Sequence, residues 1–242
     1  MPIGVIVNCL AVLAGGLIGA ALGERIPLRL RKALPLVFGV SSMAMGVGAI
    51  TGINSLPAVV LALILGSAAG ELMGLELLIE KAVLGVRKPF VKLRKSEGQP
   101  DGGDEQSEFT GKFVSIVVLF CASGTGIFGA LTEGMTGDYT ILLTKSILDF
   151  FTAGIFAATL GYLVAVVAVP QFAVMILLFL SASFIMPLTT PAMLADFTAL
   201  GGMIMLATGL RISGIKNFPI ANMLPAFVLV MPLSYLWTLF IS

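Results

Sequence analysis

The sequence predicts an all-α protein: a polytopic transmembrane helical bundle of about eight spans, some of them broken helices. Three observations carry that prediction. Hydrophobic residues make up 58% of the 242-residue chain and charged residues only 11%, where a soluble globule carries about one quarter charged. Mean hydropathy is +1.07. Apolar runs near the length of about 20 residues that crosses a bilayer recur along the whole chain. One threading of these runs also places every Lys and Arg except Lys145, of 14 in total, on the same side.

The runs fall at 3–22, 35–53, 57–78, 112–131, 141–167, 171–187, 192–210 and 218–240. The first resembles a secretory signal only superficially, because no basic region precedes it and its charges, Glu24 and Arg25, follow it. It reads as a retained first helix. The run 171–187 is the shortest, and a seven-crossing variant follows if 141–187 contains a re-entrant piece. Between 96 and 111 the chain turns polar and rich in turn formers (Ser96-Glu97-Gly98-Gln99-Pro100-Asp101-Gly102-Gly103). This stretch reads as a disordered linker. It divides the chain into an N-terminal membrane half, 1–95, and a C-terminal membrane half, 112–242.

Charge orients the spans. Arg25, Arg29, Arg31 and Lys32 follow the first run. Lys81, Arg87, Lys88, Lys92, Arg94 and Lys95 follow the third, Lys112 opens the fourth, and Arg211 and Lys216 separate the last two. With eight crossings these loops share one side, which the positive-inside rule makes the cytoplasm, leaving both termini outside the membrane. The basic stretch from Arg87 to Lys95 suits anionic lipid headgroups, so membrane lipids are the expected partners and nucleic acid is not.

Glycine and cysteine bear on packing. Gly15, Gly19 and Gly23, and again Gly66, Gly70 and Gly74, recur every four residues and form small-residue faces. Such faces pack helices closely, either within the chain or across a homodimer seam. Gly124, Gly126 and Gly129 fit close packing or a local irregularity; without a strand–loop–helix setting they do not fit a phosphate loop. Cys9 and Cys121 lie inside apolar runs and suggest neither a disulfide framework nor a thiolate metal centre. The chain has no His, the commonest metal ligand and proton shuttle. No metal or cofactor is assigned.

Polar residues inside the spans carry the functional signal. Lys145 and Asp149 are four apart, so a helix places them on one face, with Asp149 about 12 Å into a helix that starts near 141. They suit a transport site or a structural ion pair. Asp149-Phe150-Phe151-Thr152-Ala153-Gly154 has a shorter echo in Asp196-Phe197-Thr198-Ala199-Leu200-Gly201, which raises the idea of two related hairpins. Pro187 and Pro191 flank Thr189 and Thr190 and favour a short nonhelical connection. Asn222 followed by Pro225 suggests a kinked or broken helix with side-chain and backbone ligands exposed, or a helix start with a satisfied amide. Asn8 is a less specific signal of the same kind.

These residues resemble a family of bacterial inner-membrane proteins designated DUF554. The resemblance lies in the glycine-rich segment from Pro2 to Gly23, in Lys145-Ser146-Ile147-Leu148-Asp149 and Gly161, and in the C-terminal segments. The last are Ala207-Thr208-Gly209-Leu210-Arg211, Gly214-Ile215-Lys216 and Ala221-Asn222-Met223-Leu224-Pro225-Ala226. It covers nearly the whole chain outside the central linker. It implies a polytopic bacterial membrane protein and a transporter, without a substrate or a roster of functional residues.

The residues together lead to an expected small secondary transporter for an unidentified solute or ion. Asp149 and Asp196 would bind protons or a cation, Lys145 would neutralise Asp149 in one state, and Asn222 would orient substrate. No ATP-binding domain is visible. A channel and a membrane structural or assembly protein are the alternatives; an enzyme is not expected, since no activated Ser or metal cluster is evident. The threading has a direct check in a chain stripped of its native cysteines. Single cysteines at 24–34 and 96–108 should label from the cytoplasm, and those at 132–138 and 188–191 from outside. Opposite accessibility of the first two loops would contradict eight crossings.

Overall fold

The computed structural model describes residues 1–85, 116–117, 120–121 and 123–240, and every regular element among them is helical. Helix α1 spans Ile3–Leu22, α2 Leu28–Ile50, α3 Leu56–Met73 and α4 Leu75–Gly85. After two short helical stretches at 116–117 and 120–121, α5 runs Gly124–Thr136 and α6 Thr140–Leu160. The remaining helices are α7 Leu163–Val166, α8 Ala168–Ile185, α9 Pro191–Ile212, α10 Ile220–Met223 and α11 Ala226–Phe240. Among the described residues, 7 segments are long and apolar enough to cross a membrane: α1, α2, α3, α6, α7–α8, α9 and α10–α11. The expected fourth span, 112–131, lies partly outside the described residues, and its described portion includes the start of α5, which runs on to Thr136. The linker 96–111 lies wholly outside them.

The helix boundaries differ from the sequence expectation for physical reasons. The second span begins at Leu28, so Arg29, Arg31 and Lys32 form its first turns, and Pro35 sits inside it. Arg31 tolerates that place by reaching back. It donates to the carbonyls of Ile26 and Gly23 at 3.0 and 2.9 Å and to Thr159 Oγ1 at 3.3 Å, satisfying acceptors near the end of α1. The third span stops at Gly74, which adopts φ +61°, and restarts as α4. The run 141–167 is divided at Gly161, whose φ of +72° ends α6. That turn is hidden in an apolar stretch, Leu160-Gly161-Tyr162-Leu163, with no charge to mark it.

Glycine seams join the helices in four pairs. A Cβ at Gly15 or Gly19 would strike the carbonyl oxygens of Phe150 and Gly154, so α1 and α6 touch backbone to backbone. Gly39 and Gly46 of α2 meet Gly209 and Gly202 of α9 in the same way. Gly66 and Gly70 of α3 meet Ala226 and Asn222, and Gly134 of α5 meets the Phe179 carbonyl of α8. Without a hydrophobic drive between helices in lipid, such close approach maximises dispersion and Cα–H···O contact. The order of contacts sets relative direction. Gly4 lies beside Leu142 and Gly19 beside Gly154, so α1 and α6 are parallel. Helices α2 and α9, like α3 and α10–α11, run antiparallel.

Of the two uses open to the glycine faces, packing within the chain is the one seen at Gly15, Gly19, Gly66 and Gly70. Gly23 and Gly74 do not extend them; both take positive φ at helix ends. Where α5, α9 and α11 converge, Phe128, Phe197 and Phe227 pack mutually with ring centroids 5.1–6.2 Å apart.

The seams make opposite predictions for two glycines. Gly19→Val should lower the unfolding free energy of the purified protein by about 1–3 kcal/mol through overpacking. Gly48→Ala, where an added Cβ meets nothing within 4 Å, should be neutral or stabilising by up to about 1 kcal/mol. Thermal midpoints in one detergent check both; equal effects at the two positions would contradict the seam.

Candidate functional site

Lys145 and Asp149 lie one turn apart on α6 and form an ion pair through Lys145 Nζ and Asp149 Oδ2. Both are buried, at 3% and 8% exposure. Two further side chains close on the same oxygen from other helices. Asn8 of α1 donates through Nδ2 at 2.9 Å, and Gln171 of α8 donates through Nε2 at 3.2 Å. Gln171 Nε2 also donates to Asn8 Oδ1 at 2.6 Å, and both amides are wholly buried. The ring of Phe120 lies 5.8 Å from Lys145 Nζ, a cation–π distance. Gly126, in the first turn of α5, leaves the room that Lys145 occupies: a Cβ there would sit 2.9 Å from Lys145 Cε. A charged pair in a low-dielectric interior persists only when hydrogen bonds support it, and here α1 and α8 each add an amide N–H to Asp149 Oδ2. Among the described residues no donor reaches Asp149 Oδ1 or the buried Gln171 Oε1.

Asp196 is placed elsewhere and does something else. Its Oδ1 accepts from the backbone N–H of Asn54 and Ser55 at 2.9 and 2.7 Å, and its Oδ2 from Ser234 Oγ at 2.6 Å. It thus covers the otherwise unsatisfied amides at the start of α3. Glu133 of α5 performs the same service for α1, accepting from Gly4 N at 2.8 Å and Val5 N at 3.2 Å. The structure does not bring Asp149 and Asp196 together; they share no hydrogen-bonding partner. Nearby, in the connection between α5 and α6, Asp138 is held below its usual carboxylate range by its hydrogen bonds to Thr140.

Asn222 anchors a third cluster at the opposite, basic end of the bundle. It sits in α10, just before the turn at Leu224 and Pro225 that separates α10 from α11. Its Oδ1 accepts from Glu76 N at 2.8 Å, at the start of α4, and its Nδ2 donates to Glu71 Oε2 at 2.5 Å. Arg211 pairs with Glu76 at 2.8 Å and donates to the Phe218 carbonyl at 3.0 Å. The breaks after α3 and after α10 therefore face each other, stitched by side chains. Pro187 lies in a 3-10 turn at Met186–Leu188, and Pro191 opens α9 behind the cap of Thr190, which accepts from Met193 N at 3.3 Å. Both prolines shape a connection between spans.

Sequence reasoning found the Lys145–Asp149 pair because its partners are local. It passed over Gln171, placed at the first position of a span from 171 to 187. With α8 starting at Ala168, and α7 before it, Gln171 moves inside the membrane. An amide within an otherwise apolar run was the available signal. Glu133 falls in 132–138, expected as an outer connection, and instead lies on α5, which runs to Thr136.

The family model described as "Protein of unknown function (DUF554)" matches residues 3–235. The chain belongs to the DUF554 family. It is 49% identical to "Uncharacterized protein YqgA" of Escherichia coli (strain K12), over 98% of each chain. It is 29% identical to "Uncharacterized membrane protein YdfK" of Bacillus subtilis (strain 168), over 93% of each chain. No solved structure matches it. With its span-length apolar helices, this DUF554 member is a multi-pass bacterial inner-membrane protein.

Proposed function

We propose that the protein is a small secondary transporter, moving an unidentified solute or ion in a proton-coupled cycle centred on Asp149 and its partner Lys145. The observation that carries this reading is the enclosed cluster of Lys145, Asp149, Asn8 and Gln171, drawn from three spans. Ionisable residues inside a membrane are expensive and mark ion and substrate pathways. A proton arriving at Asp149 discharges it, loosens Lys145 and two amides at once, and changes what holds α1, α6 and α8 together. That is the kind of coupled, bistable contact on which alternating access depends.

The other polar clusters support a framework role. Asp196 and Glu133 fix the starts of α3 and α1 at one end, and Asn222, with Arg211 and Glu76, fixes the helix breaks at the other. On this reading Asp196 positions a helix and does not carry the driving ion. Asn222 holds the basic end closed in the state described. On this reading the cycle involves no catalytic step, and its four cluster residues come from one protomer.

The test is flux into proteoliposomes, screened over small organic solutes and inorganic ions under an imposed pH gradient. One pH unit stores about 1.4 kcal/mol, enough for about a tenfold solute ratio. Wild-type protein should reach a ratio of that order with one of them. Asp149→Asn, correctly folded, should lose the dependence on the gradient. Unchanged flux and gradient dependence in that variant would overturn the role given to Asp149.

A further inference from the structure

We infer that the cluster around Asp149 is a carboxylate-binding site, occupied in this state by the protein's own carboxylate, and that the transported solute is a small organic carboxylate carried with a proton. This rests on the transport reading and names its substrate class. Three donors from three helices converge on one atom: Lys145 Nζ, Asn8 Nδ2 and Gln171 Nε2 all donate to Asp149 Oδ2. Among the described residues no donor reaches Oδ1. An ammonium with amide N–H groups in one small, dry space is what recognition of an anionic oxygen requires. Asp149 satisfies that site internally.

A second observation points to a proton as the release signal. Gln171 Oε1 is buried and no donor among the described residues reaches it, although buried carbonyl oxygens are almost always hydrogen-bonded. Turning the Gln171 amide over would set this oxygen where Nε2 now stands, 3.2 Å from Asp149 Oδ2. There it accepts the O–H of a protonated Asp149. The same turn releases Asn8 from Gln171, and the lost carboxylate charge releases Lys145. Lys145 Nζ and Asn8 Nδ2 then hold an incoming carboxylate. One proton and one monoanion enter together, so the loaded site carries the same net charge as the closed one.

The surroundings fit. Facing the pair from α1 is Cys9 beside Asn8, and from the stretch ahead of α5 come Phe120 and Cys121. The nearby α8 presents the uncharged Gln171, and α6 adds Ser146. Among these described groups Lys145 is the sole cation and Asp149 the sole carboxylate, so discharging Asp149 leaves an uncompensated positive site.

Formate, a carboxylate that stays ionised in mildly acid solution, is the probe, read by thermal unfolding of purified protein with chloride at equal ionic strength as control. Asp149→Asn, which mimics the discharged side chain, should show a saturable rise of about 2–4 °C with formate at neutral pH. Wild type should show a smaller rise that grows as the solution is acidified, because formate enters with a proton, and Lys145→Met/Asp149→Asn should not show it at all. No formate response in Asp149→Asn, an equal response in the double variant, or an equal response to chloride would overturn the assignment. If Asp149→Asn does not fold, the wild-type acid titration decides, and absence of a formate shift there overturns it. Proton-driven uptake of a cation without formate binding would leave the transport reading standing and remove this one.

Discussion

A bilayer core offers no water to hydrogen-bond, so every polar group that enters it must find its partner in the protein. Most of this structure follows from that constraint. Interrupted helices leave free amides and carbonyls, and several of them here are met by side chains from distant segments. Asp196 covers the start of α3, Glu133 the start of α1, and Asn222 the start of α4. Arg31 reaches back over the end of α1. These groups lie more than a hundred residues from the amides they cover in the first three cases, so they lock the N-terminal helices to the C-terminal ones as well as satisfying them.

Glycine completes the lock. With Gly19 against Gly154, and Gly46 against Gly202, the helices approach until backbones touch. The helix starts are thereby carried to within reach of the short carboxylates that cover them. A larger residue in a seam would move helix axes apart, and the carboxylates would lose their targets. Close packing and polar satisfaction are one design, in which neither works without the other.

Much of this was legible in the sequence, and the limits were physical. Span length and apolar composition are local properties, so 7 of the expected spans stand as helices among the described residues. Lys145 and Asp149 pair along one helix, and spacing alone revealed them. Asn222 before Pro225 announced a broken helix through the missing proline N–H. Long-range partners were not legible. Nothing local to Asp196 says that its carboxylate meets Asn54 and Ser55, so its likeness to Asp149 suggested a shared role that the geometry divides. Gln171 was obscured because the turn at Gly161 carries no charge, which displaced the start of its span and left a membrane-buried amide looking like a boundary residue.

What sets the Lys145–Asp149 cluster apart from the capping carboxylates is that it covers no helix start and joins no broken ends. Apolar replacement of a buried ion pair is often neutral or stabilising, by about 1–4 kcal/mol, so stability alone gives little reason to keep one inside a membrane. The account therefore claims that the pair serves function. The most direct measurement is made on Lys145→Met/Asp149→Leu, comparing its thermal midpoint and its gradient-driven flux with those of wild type in the same lipid. The account predicts a folded protein of equal or greater stability with no gradient-driven flux. A folded double variant that retains full gradient-driven flux would contradict it.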